Sequence, residues 1–306
     1  MSEPLKTILC GIELHNPLIL ASGVLGLNKK TLLLAQNGGA GALTLKSITI
    51  EERIGHESPN VAFFEGGMLN AFGYNNCGLK KALNEFHDLS CFSVPVIGSC
   101  TAQTPEDFAK IVRAFDELDF AAIELPVSCP HTPGYGLLSK QNEKAFIEKV
   151  LRKCRKETKK PIFLKINACL PNLLEIATCA EKAGADAITC SNSFPGMIID
   201  INAKKPVLSF KKGGVSGPAI RPMVVKAIYE IYEEIKIPII GVGGVSTGEH
   251  AIELIMAGAS AVGIATGVLL RGNSVFRKCA FEILSWMKKH QYKSIEELVG
   301  IAHRNF

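Results

Sequence analysis

Three side chains in this sequence stand where chemistry needs them and packing does not. They are a thiol, Cys129, and two lysines, Lys46 and Lys165. Cys129 belongs to the run Ile123-Glu124-Leu125-Pro126-Val127-Ser128-Cys129-Pro130-His131, which reads as a buried strand, Ala121 to Leu125, running out into a turn. A free cysteine is by default a small buried hydrophobe, and a reactive thiol needs particular surroundings. At a strand end, held by a following proline, a thiol can meet a bound ligand. The lysines sit in Leu43-Thr44-Leu45-Lys46-Ser47 and Phe163-Leu164-Lys165-Ile166-Asn167. Burying an ammonium without a partner costs several kcal/mol. One lysine at the end of an apolar run can snorkel to water. Two at the same end of a fold favour an anionic or electron-rich ligand.

The elements that must position these groups follow from the apolar pattern. Runs at Leu18–Ala21, Ala42–Leu45, Val94–Ile97, Ala121–Leu125, Ile162–Lys165, Ala187–Cys190, Ile237–Val242 and Ala261–Ile264 each have the length of a strand buried on both faces. Helical stretches lie between them. Pro105 to Asp119 opens with Thr104 as N-cap and proline at the first helical position. Leu173 to Lys182 stops at Gly184, Arg221 to Ile235 carries apolar residues at helical spacing, and Gly248 to Met256 stops at Gly258. Eight strands alternating with helices predict an α/β fold, a (β/α)₈ TIM barrel over residues 1–306. A doubly wound open sheet is the competing arrangement, and the chain lacks a Gly-x-Gly-x-x-Gly turn after its first strand. Two segments, Ile48 to Phe92 and Phe194 to Pro218, are too long for plain connections. They read as active-site insertions after strands 2 and 6.

In a barrel the polar residues at C-terminal strand ends converge. Here those ends supply Ser22, Lys46, Ser99, Cys129, Lys165, Asn192 and Ser193, followed by glycines. The last two strands carry Gly241-Val242-Gly243-Gly244-Val245 and Gly263-Ile264-Ala265-Thr266-Gly267. Loops in those positions often bind phosphate through backbone N–H groups, and glycine allows the close approach.

Composition sets the outer bounds. The 306 residues are 47% hydrophobic and 21% charged, an ordinary globular balance. No apolar run approaches a membrane span, and Met1-Ser2-Glu3-Pro4-Leu5-Lys6 lacks a signal-peptide shape, so the expectation is a cytoplasmic protein. The 10 cysteines are scattered with no C-x-x-C pair, which argues against a metal site or a cluster of the chain's own. The net charge of +5 is mild. Its densest patch, Arg152 to Lys160, reads as a solvated helix end, since no interleaved aromatics accompany it to suggest nucleic-acid binding.

Taken together, these motifs resemble the class 1 dihydroorotate dehydrogenases over nearly the whole length. The resemblance rests on Asn16-Pro17 to Ser22-Gly23, Leu45-Lys46-Ser47, Gly67-Met68-Leu69-Asn70-Ala71-Phe72-Gly73-Tyr74-Asn75-Asn76, Ser128-Cys129-Pro130, Lys165, Asn192-Ser193, Gly196-Met197-Ile198-Ile199-Asp200, Gly213-Gly214-Val215-Ser216-Gly217-Pro218-Ala219 and Gly243-Gly244. The later half is more similar to the branch that works with an electron-transfer subunit carrying FAD and a 2Fe-2S cluster. The resemblance implies an FMN-binding barrel that oxidises dihydroorotate to orotate in pyrimidine biosynthesis, as a homodimer. Cys129 would be the general base at C5, with the C6 hydride passing to flavin N5. Lys46 would bridge substrate and flavin, and Lys165 would lie at the flavin N1/O2 edge. Asn70, Gly73, Tyr74, Asn192 and Ser193 would surround the substrate ring. Ala21, Ser22, Ser47, Ser99, Ser191, Gly217, Gly243, Gly244, Ala265 and Thr266 would hold FMN.

The chain also departs from the family pattern. Pro126 replaces an asparagine that normally contacts substrate and flavin, and proline has no side-chain polar group. The usual Cys-Pro-Asn is Cys129-Pro130-His131, Ser99 replaces an asparagine, and Ala265 replaces a glycine of the phosphate loop. These changes open an alternative, a related flavin dehydrogenase acting on another dihydropyrimidine such as dihydrouracil.

Overall fold

The computed structural model describes residues 3–129, 134–135 and 143–304. Eight parallel strands close into a barrel: β1 (Leu18–Leu20), β2 (Ala42–Thr44), β3 (Val96–Ser99), β4 (Ala122–Pro126), β5 (Ile162–Ile166), β6 (Ala187–Cys190), β7 (Ile239–Val242) and β8 (Ala259–Ile264). Each pairs with its neighbours in chain order, and β8 pairs with β1 to close the ring. Strand side chains alternate between two apolar environments. One set, including Ile19, Ile97, Ala122, Phe163, Ala187, Ile240 and Ala261, fills the interior together with Leu9 and Leu14 of an N-terminal hairpin, Thr7–Leu9 and Ile12–Leu14. The other set, including Leu18, Leu43, Ile123, Leu164 and Ile188, faces the surrounding helices. With both faces covered, strands of this kind carry apolar residues almost without interruption.

All eight expected strands are present. β4 begins one residue later than its apolar run, at Ala122, and two begin two residues later: β3 starts at Val96 and β7 at Ile239, each directly after a proline. Pro95 and Pro238 accept ladder bonds from Leu43 and Ile188 but have no N–H to donate.

The helices on the barrel's outside are α1 (Lys29–Asn37), α2 (Gly78–Phe86), α3 (Pro105–Asp116), α4 (Lys144–Glu157), α5 (Leu173–Ala183), α6 (Arg221–Glu234), α7 (Gly248–Met256), α8 (Thr266–Arg271) and α9 (Val275–Lys289). Thr104 caps α3 by accepting from the Asp107 N–H at 3.1 Å. α3 stops at Asp116 rather than Asp119, because the chain tightens into a three-residue turn in which the Leu118 N–H donates to the Phe115 carbonyl at 3.2 Å. Among the described residues no helix is long and apolar enough to cross a membrane.

The two long insertions are not separate loops. The first contributes Val61–Phe64 and Gly67–Asn70, the second Phe194–Gly196 and Gly213–Ser216, and these form one four-stranded antiparallel sheet. Gly214 pairs with Asn70, Val215 with Leu69 and Ser216 with Met68. A small apolar cluster of Leu69, Ala71 and Leu208 backs this sheet. Gly67, at φ +150°, is required at the junction, since a Cβ there would lie 2.1 Å from the Ser216 carbonyl oxygen.

Candidate functional site at the C-terminal mouth of the barrel

The strands deliver their ends to one cleft of about 1050 Å³ that opens to solvent. Of the residues singled out in the sequence, Ser22, Lys46, Ser47, Asn70, Gly73, Tyr74, Cys129, Lys165, Ser191, Asn192, Ser193, Gly217, Gly243, Gly244, Ala265 and Thr266 all line it. Ala21 and Ser99 do not; they lie buried in the layer beneath. Ser99 Oγ nevertheless reaches the cleft wall through a 3.0 Å hydrogen bond with Ser47 Oγ, which in turn lies 3.3 Å from Ser22 Oγ. His131 lies outside the described residues.

Each functional side chain is held by its neighbours. The Asn192 amide donates to Ser128 Oγ at 3.3 Å, and Ser128 Oγ donates to the Lys165 carbonyl at 3.0 Å, so the ends of β4, β5 and β6 are tied together. Ser191 Oγ accepts from the Ala168 N–H at 2.9 Å. The Asn70 amide donates to the Gly214 carbonyl at 3.2 Å, which ties the first insertion to the second. Thr266 Oγ1 donates to Ser216 Oγ at 2.8 Å, joining the second insertion to the end of β8.

Lys46 is 8% exposed, with its ammonium 5.3 Å from the centre of the Phe72 ring. Burial pushes its pKa down to about 8, a shift that Cys129 opposes and Lys165 reinforces. Lys46 therefore has both Cys129 and Lys165 close by. Tyr74 takes the left-handed backbone conformation, φ +57°, and its carbonyl accepts from the Asn76 amide at 2.7 Å. Its hydroxyl lies beside Thr101 and Cys129. Burial, then the nearby Cys129 sulfur, push this phenol well above the ordinary tyrosine range, so it remains a hydrogen-bond donor at working pH. Thr101 donates to the Pro126 carbonyl at 3.0 Å, which uses the one polar group that Pro126 can offer. Tyr135 packs 5.3 Å from Tyr74, and the Arg53 guanidinium lies 5.2 Å from the Tyr135 ring centre.

The described lining is of two chemical kinds. Ser216, Gly217, Gly243, Gly244 and Thr266 carry hydroxyls and backbone N–H groups of the sort that suit an anion. Gly244, at φ +75°, lies against α6 so closely that a Cβ would sit 2.5 Å from the Arg221 Cβ. The other kind is two ammonium groups, a thiol and the amide or hydroxyl side chains of Asn70, Asn192 and Ser193.

Two features escaped the sequence reading. Asn76 is buried and holds Tyr74, Thr49 and Gly78 in place. Glu124, buried in the middle of β4, lies 3.6 Å from the Lys165 ammonium. Its signal was present, since a carboxylate within an apolar run is as unusual as the lysines.

Comparison with known proteins agrees with this geometry. The family described as dihydroorotate dehydrogenase matches residues 4–287. A Methanocaldococcus jannaschii protein named dihydroorotate dehydrogenase B (NAD(+)), catalytic subunit, is 42% identical, with 98% of each chain covered. Proteins of the same name from Pyrococcus abyssi and Thermoplasma acidophilum are 41% and 40% identical, covering 97% and 98% of this chain and 99% of each relative. A crystal structure of DHODH from Eimeria tenella in complex with ferulenol superposes with a TM-score of 0.83 at 21% identity, covering 99% of this chain and 89% of that one. At that identity the likeness bears on the fold.

Proposed function

This chain belongs to the dihydroorotate dehydrogenase family and oxidises dihydroorotate to orotate, a step of pyrimidine biosynthesis; we propose that it does so with FMN in the cleft and Cys129 as general base. The observation that carries this reading is the gathering of Cys129, Lys46 and Lys165 around one cavity whose lining also holds hydroxyls and glycines that suit a phosphate. The residues fit FMN on chemical grounds. Hydroxyls and backbone amides of Gly217, Gly243, Gly244, Ala265 and Thr266 suit the phosphate, while Ser22, Ser47 and Ser191 and the two lysines suit the polar edges of a flavin. A Cβ on Gly23, at φ +119°, would meet nothing within 4 Å, so the wall there leaves room for a flat ring. When bound, FMN supplies the acceptor for the hydride leaving C6 of dihydroorotate.

The protein's own residues do the rest. Asn70, Asn192 and Ser193 hydrogen-bond the pyrimidine, beside Gly73 and Tyr74. Lys46 attracts the substrate carboxylate. Cys129 removes the C5 proton, and the Tyr74 hydroxyl donates to its sulfur and steadies the thiolate. Lys165 places a fixed cation where negative charge develops on reduction. The seats of Ala21 and Ser99 under the cleft make them supports for its floor.

Relatives named as catalytic subunits of an NAD(+) enzyme support a partner subunit for this chain as well, carrying FAD and a 2Fe-2S cluster. A homodimer in the cytoplasm completes the reading. Pro126 lines the cleft without a polar side chain, which favours testing dihydrouracil as a second substrate. The decisive experiment is to purify the chain, record its visible spectrum and add each dihydropyrimidine anaerobically. The expected result is a yellow protein bleached by dihydroorotate. A colourless preparation that takes up no FMN, or a flavin reduced only by dihydrouracil, overturns the assignment.

A further inference from the structure

The barrel interior changes character toward the cleft. Above the apolar layer of Ile97, Ala122, Phe163 and Ala187, strand alternation brings Thr44, Ser99, Glu124, Lys165 and Thr189 inward. Glu124 and Thr189 come from the strands on either side of Lys165, and Thr189 is its direct neighbour in the ladder. The Glu124 and Lys165 side chains are each 6% exposed and 3.6 Å apart. Glu124 Oε1 is the atom that faces the ammonium, and at that distance it makes an ion pair without a hydrogen bond; among the described residues neither it nor Thr189 Oγ1 has a hydrogen-bond partner. A buried ion pair without a hydrogen bond is a poor stabiliser of a fold, because desolvation offsets the attraction. Its place directly below the cleft gives it a different use. Among the described residues Lys165 is one of two ammonium groups facing the cavity, and an unshielded pair of cations would strongly favour a reduced, negatively charged flavin. Such a flavin would take electrons readily and release them poorly.

We propose that Glu124 is a positioning residue that holds Lys165 in the barrel wall and offsets part of its charge, so that the pair sets how easily the bound flavin is reduced. This inference rests on the FMN reading above. Its test is the flavin midpoint potential, measured by anaerobic dye equilibration on the full-length protein purified with FMN. Glu124→Gln removes the countercharge at nearly constant shape. The expected result is a potential raised by about 30 mV, which for a two-electron couple is a tenfold change in the ratio of reduced to oxidised flavin. Glu124→Asp keeps the charge but draws it back from the ammonium, so the rise should be smaller and in the same direction. If the Gln variant does not fold, the Asp variant decides. An unchanged or lowered potential in the folded variants overturns the role of Glu124 while leaving the FMN assignment intact. A wild-type protein that binds no flavin overturns that assignment instead.

Discussion

Apart from the closing pair β8 and β1, the barrel strands pair with neighbours in chain order, whereas the sheet beside the barrel's mouth joins segments 144 residues apart at Asn70 and Gly214. The two regions are also covered differently. Barrel strands are buried on both faces, while Val61–Phe64 at the edge of that sheet is only half-buried. The difference assigns them different work. The barrel holds the thiol and the ammonium groups rigidly at strand ends. The insertion sheet and the residues flanking it bring Asn70, Tyr74 and Gly217 to the cleft, backed by a small apolar cluster of its own. A sheet backed by a small cluster opens more readily than strands in the main core, so it is suited to admitting and releasing a ligand.

Substitutions can break or sharpen this contrast, beginning with the largest effect. Cys129→Ala should lower turnover with dihydroorotate by about 10²–10⁴-fold, the usual contribution of a general base, while visible absorbance shows the flavin still bound. Retained turnover would remove Cys129 from its role. Phe163→Ala, in the barrel interior, should cost about 3–5 kcal/mol and lower the melting temperature of the whole protein. By contrast, Leu69→Ala in the insertion sheet should cost about 2 kcal/mol, near the low end for such truncations. It should appear as faster hydrogen exchange over residues 61–70 and 213–216 and a raised KM, with little change in global melting. An equal fall in melting temperature for both variants would erase the distinction between the two regions.

The next effect is a pH dependence from Lys46. Its folded pKa of about 8 lies below its ordinary value, so the ammonium is charged below pH 8 and neutral above it. Affinity for the anionic dihydroorotate should therefore weaken as pH rises through 8, by up to tenfold per unit, in a KM–pH profile. Stability responds in the opposite sense. From about pH 8 to the unfolded value of 10.5 the unfolded chain binds more protons at this site, so the Lys46 contribution favours folding increasingly as pH rises. The smallest expected effect is that of Tyr74→Phe. Loss of one hydrogen bond to the Cys129 sulfur, about 1 kcal/mol, should slow turnover about fivefold and leave KM little changed. A shift in KM alone would make Tyr74 a wall of the pocket and not a support of the base.

The sequence was most informative where burial repeats a simple pattern. Leu18–Leu20 or Ala187–Cys190 must be apolar along its whole length because helices cover one face and the packed interior the other. Polar residues such as Ser22, Lys46 and Ser191 directly follow their runs because the barrel ends there. Glu124 carries the same kind of signal within its strand.

Local periodicity and the cost of burying polar groups make the order of strands and helices, and the side chains at the strand ends, readable along the chain. Only the folded molecule shows that residues 61–70 and 194–216 share a sheet, that the Tyr74 hydroxyl lies beside Cys129, and that Lys165 finds its countercharge on the neighbouring strand. Each of these depends on pairing between distant segments. Such pairing leaves no periodic trace in either segment and exists only once the barrel has closed and brought them together.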